Sequence, residues 1–274
     1  MTVVAFAGPS LPPEDRAGVY GVEWCPPAEA GDLLRLDAGP ELTVCLIDGY
    51  FDHRPAVRHK EILLLLSEGV RILGASSIGA LRAAEMAALG MIGVGSIYRA
   101  YASGRIVGDD EVALIHGPAD AGWRPVSIPL VDVRATLCRA LRDRMLLLED
   151  ARSLLIAAGE IHYIERCWEG LIAASGIPTV VQARLRAWLR DGQMSQKRLD
   201  AQACIAAALD NSAIPPIRPP LVRTAFLEAL AQECGIAPPW LPSEPVSTAR
   251  APTHGGPPAG RDGSEAPSRE AVPH

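Results

Sequence analysis

The chain lacks the cysteine spacings that bind zinc or build disulfide frameworks. Its six cysteines lie far apart, with no C-x-x-C pair and no cluster with histidine. We therefore expect reduced, mostly buried thiols, as in a cytosolic protein, and no metal site built from cysteine.

Excess positive charge and long apolar runs are also missing. The formal net charge of -6 excludes the basic field that nucleic acids and anionic membranes attract, so a protein surface or a small molecule is the better partner. No run reaches the roughly 20 apolar residues that span a bilayer. The start, MTVVAFAGPSLPPEDR, lacks the basic region of a secretory signal. We expect a cytoplasmic protein that binds neither membrane nor nucleic acid.

Short apolar runs at residues 3–7, 43–47 and 70–73, each followed by turn residues, predict buried strands of a parallel sheet. An apolar stripe over residues 56–67 predicts a helix between the last two. After residue 130 the spacing becomes helical, with helices predicted at 133–148, 149–158, 161–174, 179–189, 195–209 and 223–233.

These patterns predict an α/β fold: a small, mostly parallel sheet with flanking helices in the N-terminal half, followed by an all-helical C-terminal half. We divide the chain into an α/β catalytic region (1–120), a helical region packed on it (121–240) and a Pro/Gly-rich tail (241–274). The tail has too few large apolar residues to offset its ordering entropy, so we expect it to be disordered.

The segment VRILGASSIGALRAAE predicts a strand, a tight turn and a helix, with Ser76 or Ser77 at the start of the helix. Free backbone N–H groups and the helix dipole favour negative charge there, as an oxyanion site requires. An ordinary N-cap serine fits the same pattern. The segment has neither G-x-S-x-G nor the P-loop pattern, and an anion or nucleotide site would lack a basic residue in the turn.

Lys60 lies within the apolar helix predicted before the third strand. Burial disfavours the charged form of lysine, so a neutral Lys60 could accept a proton from serine. Alternatively it extends to solvent or pairs with Glu61 or Asp48. Asp48 ends a predicted strand, where ligands of α/β sheets gather, although an Asp-Gly turn is an equally simple reason for it.

Four further charged side chains are candidates for binding a substrate or partner. His59 could orient a neighbouring group, and Arg82 could bind a carboxylate or simply pair with Glu85 three residues on. Asp110 lies in an acidic stretch, GDDEVALIH, that fits either a magnesium or carrier-docking site or a solvated helix start.

Four blocks in one order, GPSL, LIDGYFDHRPAVRHKEIL, GASSIGALRAAEMAALGMIGVGSIYRAYASGRIVGDDEVAL and QKRLDA, resemble the TfuA-like family over residues 3–210. The resemblance implies a partner of a YcaO enzyme, which uses ATP to thioamidate the backbone of a precursor peptide. It implies hydrolysis of the thiocarboxylate of a ThiS-like sulfur carrier protein to release sulfide, without a cofactor or a metal of its own. A non-catalytic adaptor that docks peptide or carrier onto YcaO is the alternative.

Matched to the family's motifs, Ser77 is the expected nucleophile and Lys60 its expected base. The N–H groups of Ile78 and Gly79 would hold the oxyanion, with Ser76 and Asp48 in support. Ile78 stands where the family pattern leads us to expect methionine, an apolar exchange.

Overall fold

The computed structural model describes residues 2–50, 54–210, 217–222 and 224–236. Its strands are β1 (Thr2–Phe6), β2 (Val22–Cys25), β3 (Leu42–Leu46), β4 (Arg71–Gly74) and β5 (Ile92–Gly93). They form one parallel sheet in the order β2-β1-β3-β4-β5. The predicted parallel sheet is confirmed, because the three apolar runs became its three central strands.

Helices flank the sheet and make up most of the described chain after residue 130, as predicted. They are α1 (Pro13–Arg16), α2 (His59–Ser67), α3 (Ile78–Met86), α4 (Gly95–Ala102), α5 (Leu130–Arg142), α6 (Leu148–Glu160), α7 (Trp168–Ala174), α8 (Thr179–Gly192), α9 (Gln196–Leu209) and α10 (Ala225–Glu233). All described residues belong to one compact unit, Met1–Pro238. The tail predicted to be disordered, 241–274, lies outside the described residues.

The two faces of the sheet are covered by helices from different parts of the chain. Side chains alternate along a strand, so Val44 and Leu46 of β3 pack with α2 and α3 on one face. Cys45, with Ile47 just beyond the strand, packs on the other face, against α9. Helix α9 contacts β1, β3 and β4. The helical half therefore brings one of its helices directly onto the strands that carry Ser77 and Asp48 at their ends.

Some element boundaries differ from those predicted. Helix α5 ends at Arg142, and Arg144 adopts a positive φ of 56°, so the predicted helix does not continue to residue 148. Residues 161–167 are not helical, because buried Arg166 donates to the carbonyl oxygens of Ala158 and Ile161 and closes the end of α6. Strands β2 and β5 were not predicted, since β2 is a half-buried edge strand and β5 has two residues.

All six cysteines are free, but most of them are not buried. Cys45 and Cys204 are buried, whereas Cys138 and Cys167 are exposed. The expectation of mostly buried thiols was therefore wrong, since two of the six lie on the solvent side of the helical half.

Candidate active site

Ser77 lies at the turn between β4 and α3, as the strand-turn-helix pattern predicted. It is the N-cap residue of α3, with φ -110° and ψ -126°, and is only 3% exposed. Ser76 before it has a positive φ of 68°, an uncommon conformation for a residue with a side chain. The Ser77 hydroxyl makes no capping hydrogen bond to the helix. Ser77 is therefore not the ordinary N-cap that the sequence left open.

The side chain that contacts the Ser77 hydroxyl is Lys197, near the start of α9. Its amine Nζ lies 3.0 Å from Ser77 Oγ and 2.8 Å from the carbonyl oxygen of Val112. Lys197 is 2% exposed, and Nζ is 3.9 Å from Asp48 Oδ1, beyond direct hydrogen-bonding distance. The site is thus a buried serine–lysine pair with a carboxylate nearby.

Lys60 is not the amine beside Ser77, which corrects the pairing expected from the sequence. Lys60 is half-buried at the start of α2 and makes no hydrogen bond or ion pair with any described residue. On the helix, Lys60 lies about 160° from buried Ile62 and about 140° from buried Leu65, so it points away from the side that faces the core. The apolar stripe of α2 therefore buries its leucines and isoleucine, and turns Lys60 away.

The burial of Lys197 follows from the periodicity of α9. Ala201, Cys204, Ile205 and Ala208 are fully or nearly fully buried against the sheet, and Lys197 lies four residues before the first of them, on the same stripe. A lysine on the apolar stripe of a helix was the signal that could have identified it. The sequence reading missed this signal because it took QKRLDA only as part of a resemblance.

Burial lowers the pKa of Lys197, because the charged ammonium loses its hydration, while the nearby carboxylates of Asp48 and Asp132 raise it. The net direction is downward. Burial also raises the pKa of Asp132. Hydrogen bonds that favour its ionised form, including one from the backbone N–H of Lys197, oppose this shift only in part. The surroundings thus make Lys197 easier to deprotonate than an ordinary lysine, as a general base requires.

Asp48 is fixed by the loop that follows β1. Its Oδ2 accepts hydrogen bonds from the backbone N–H groups of Gly8 and Ser10, at 2.8 and 2.9 Å. Its Oδ1 accepts the hydroxyl of Ser10 at 2.6 Å, and Ser76 Oγ donates to Ser10 Oγ at 2.8 Å. Asp48 and Ser76 therefore both belong to the site, joined through a serine that the sequence reading did not select.

The backbone N–H groups around Ser77 are not equally free. The Gly79 N–H donates to the carbonyl of Ile47, so the oxyanion role expected for Gly79 is not open to it as placed. Its role is steric, because a Cβ at Gly79 would lie 1.7 Å from the carbonyl oxygen of Leu46. The N–H of Ile78 has no acceptor among the described residues. Ile78 is thus the available donor at the start of α3.

A second free donor lies across from Ile78. Gly49 forms a parallel bridge with Ala28 in which Ala28 N–H donates to Asp48 and Tyr50 N–H donates to Ala28. These two hydrogen bonds use the carbonyl of Asp48 and the N–H of Tyr50, the residues before and after Gly49. The N–H of Gly49 itself therefore points away from Ala28. It has no acceptor among the described residues. Gly49 and Ser77 line the same cavity.

That cavity gives access to the pair and has a volume of about 260 Å³. Its walls are mostly apolar, with Pro9, Pro27 and Leu114 among them, and Ser77, Lys197 and Asp48 lie on its lining. Arg54 also lines it, paired with Glu29. The cavity is therefore a small, mostly apolar space with the serine–lysine pair on its wall.

The other candidate binding residues lie outside this cavity. His59 Nε2 is 2.8 Å from Glu85 Oε2, and Arg82 donates to the same oxygen and to the carbonyl of Val57. They form one surface cluster between α2 and α3, which confirms the simple pairing of Arg82 with Glu85. Asp110 lies in an exposed 3-10 turn near Arg166, 3.8 Å from its guanidinium.

Neither a metal cluster nor a membrane span is found in the described part of the chain. No group of three or more histidine, cysteine or acidic side chains among those residues is placed to hold a metal ion. None of the helices there has the length and apolar character needed to cross a bilayer.

Comparison with protein-family models finds a match. The family model described as TfuA-like protein matches residues 48–167. The matched segment contains Asp48 and Ser77, whereas Lys197 lies after it. A search of curated proteins finds no match.

Proposed function

We propose that this chain, whose residues 48–167 match the TfuA-like family model, hydrolyses the thiocarboxylate of a ThiS-like sulfur carrier protein and releases sulfide to a YcaO enzyme that thioamidates a precursor peptide. The chemistry is assigned to Ser77 as nucleophile and Lys197 as base. The observation that carries this assignment is the distance of 3.0 Å between Lys197 Nζ and Ser77 Oγ, both buried at the amino end of a helix.

The hydrogen bonds of Lys197 suit a base. A neutral amine has two hydrogens and one lone pair, and the carbonyl of Val112 accepts one hydrogen at 2.8 Å. The lone pair is then free to face the Ser77 hydroxyl and accept its proton. The lowered pKa of Lys197 keeps more of the amine in this neutral form.

In the first step Ser77 Oγ attacks the carbonyl carbon of the thiocarboxylate while Lys197 takes the hydroxyl proton. The oxyanion forms at the free N–H groups of Ile78 and Gly49. The C–S bond then breaks, the proton passes from Lys197 to the departing sulfur, and HS⁻ leaves behind an ester on Ser77. Charge balances, since one anion enters as thiocarboxylate and one leaves as HS⁻.

In the second step water hydrolyses the ester. Lys197 takes a proton from the water, the hydroxide attacks the ester carbonyl, and Lys197 returns this proton to the Ser77 oxygen as the C–O bond breaks. The carrier leaves as a carboxylate, and the second proton of the water passes to solvent. The narrow apolar cavity supports a thin carrier tail as the substrate, and Arg54 on its wall supplies positive charge for the anionic terminus. ATP would be used by the YcaO enzyme, not by this chain.

The test is to incubate the protein with a thiocarboxylated carrier and weigh the carrier by mass spectrometry. Wild type should convert the thiocarboxylate to carboxylate, and Ser77→Ala should not. The matched control is Ser67→Ala, which removes a hydroxyl that bonds the Leu64 carbonyl within α2. If Ser77→Ala retains full turnover, Ser77 is not the nucleophile. If peptide thioamidation survives both Ser77→Ala and Lys197→Met, the protein acts as a docking adaptor.

A further inference from the structure

We infer that the Ser10 hydroxyl keeps the Asp48 carboxylate from pairing with Lys197, and thereby leaves the amine free to accept the proton of Ser77. The inference rests on the proposed function, in which Lys197 is the base. It makes Ser10 a positioning residue, since Ser10 acts through Asp48 and Lys197 and not on the substrate.

The competition is for one oxygen atom. Asp48 Oδ1 lies 2.6 Å from Ser10 Oγ and 3.9 Å from Lys197 Nζ, so the hydroxyl holds the oxygen that faces the amine. The other oxygen, Oδ2, is occupied by two backbone N–H groups of the same loop. Every direct hydrogen bond that this carboxylate accepts from a described residue therefore comes from residues 8–10, and Lys197 supplies none of them.

Ser76 fixes the direction of the Ser10 hydroxyl. Ser76 Oγ donates to Ser10 Oγ at 2.8 Å, which occupies a lone pair of Ser10 and directs the Ser10 hydrogen toward Asp48. Ser10 and Ser76 are 1% and 0% exposed, so water does not compete for these bonds. The positive φ of Ser76 places its side chain here while Ser77, the next residue, faces Lys197.

Removing the hydroxyl leaves a buried carboxylate oxygen without its shortest partner. The amine 3.9 Å away is the group that can replace it, and an ammonium does so better than a neutral amine. Among the described residues, four charged groups face this amine or its carboxylate, and His116 and Tyr163 line the same cavity. The four are Asp48 after β3, Asp132 of α5, Arg16 of α1 and Arg54 before α2.

Ser10→Ala should therefore raise the pKa of Lys197 and reduce the neutral amine at a given pH. A hydrogen bond to a charged group has a strength equivalent to about one to two pKa units, so the neutral fraction at neutral pH should fall about tenfold to a hundredfold. The loss should disappear at higher pH, where the amine is neutral in both proteins.

The experiment measures the rate at which a fluorophosphonate probe labels Ser77, followed by intact mass over a range of pH. We expect the acid limb of the Ser10→Ala profile to move to higher pH while its plateau stays close to that of wild type. Ser10→Thr, which keeps a hydroxyl, should restore the limb, and Ser76→Ala should shift it less in the same direction. A rate that falls equally at every pH, or does not change, overturns the inference.

Failure of the proposed function would look different, since wild type would then take no label at any pH. In that case, urea unfolding across pH tests the role of Ser10. It compares Ser10→Ala with wild type, and the same pair in a Lys197→Met background. We expect a stability difference that varies with pH and loses this variation in the Lys197→Met background. A difference independent of pH in both backgrounds overturns it.

Discussion

Replacing Lys197 with methionine tests the electrostatics of the site without any substrate. Methionine has a similar length and no charge, so it fills the space along α9 while it removes the titrating group. It also leaves the Val112 carbonyl without the hydrogen bond of 2.8 Å, which costs about 1–3 kcal/mol at every pH. The titration of the amine adds a difference that varies with pH.

The direction of that variation follows from the lowered pKa. The native amine has a pKa below the value of 10.5 for an ordinary lysine, so between these two pKa values the unfolded chain binds more protons than the native protein. The unfolding free energy of wild type, relative to Lys197→Met, should therefore rise with pH across this window. The slope is at most about 1.4 kcal/mol per pH unit, and it vanishes above the unfolded pKa.

Urea unfolding of both proteins at a series of pH values measures this difference. Lys60→Met is the matched control, because Lys60 is half-buried and has no ion pair with a described residue. Its unfolding free energy relative to wild type should not vary in the same way. A Lys197→Met difference that stays constant or falls as pH rises would refute the argument that burial holds the amine neutral.

Three further substitutions test the packing around the site, each by urea unfolding. Burial raises the pKa of Glu61 to about 7, so the native state binds more protons than the unfolded chain between pH 4.5 and about 7. The unfolding free energy of wild type, relative to Glu61→Gln, should therefore fall as pH rises across this range. A difference that does not change with pH contradicts this. Gly79→Ala should lower the unfolding free energy by about 3 kcal/mol or more, because the added Cβ would lie 1.7 Å from the Leu46 carbonyl oxygen. A variant as stable as wild type would show that the turn relaxes easily. Arg166→Met should lower the unfolding free energy by about 3 kcal/mol or more, because three backbone carbonyls lose a buried hydrogen-bond donor. A loss below about 1 kcal/mol would contradict this stabilising role of Arg166.

The central strands and the position of Ser77 at the turn were predictable because local sequence determines them. A buried run followed by small residues and an alanine-rich helix defines both β4 and the position of Ser77. Asp48 was predictable for the same reason, as the residue after a buried strand. Their roles in the site need only the rule that the carboxyl ends of parallel strands meet at one edge.

The lysine beside Ser77 was not predictable by the same route, because it comes from a helix 120 residues further along the chain. Lys60 was expected because it lies within an apolar helix and matches the family's H-K-E-I-L motif, although its position on α2 faces away from the core. Lys197 has the correct phase on α9, but knowing which face of the sheet α9 covers requires the tertiary structure. Ser10 was missed for a related reason, since a loop serine shows no periodicity.

The identity of the base is the central claim, and single-turnover rates with a thiocarboxylated carrier test it most directly. The comparison is between wild type, Lys197→Met and Lys60→Ala, each mixed in excess over the carrier and followed by mass. We expect Lys197→Met to slow release of sulfide by about 10²- to 10⁴-fold, as loss of a general base does, and Lys60→Ala to match wild type. A rate that survives Lys197→Met but collapses in Lys60→Ala would contradict the account.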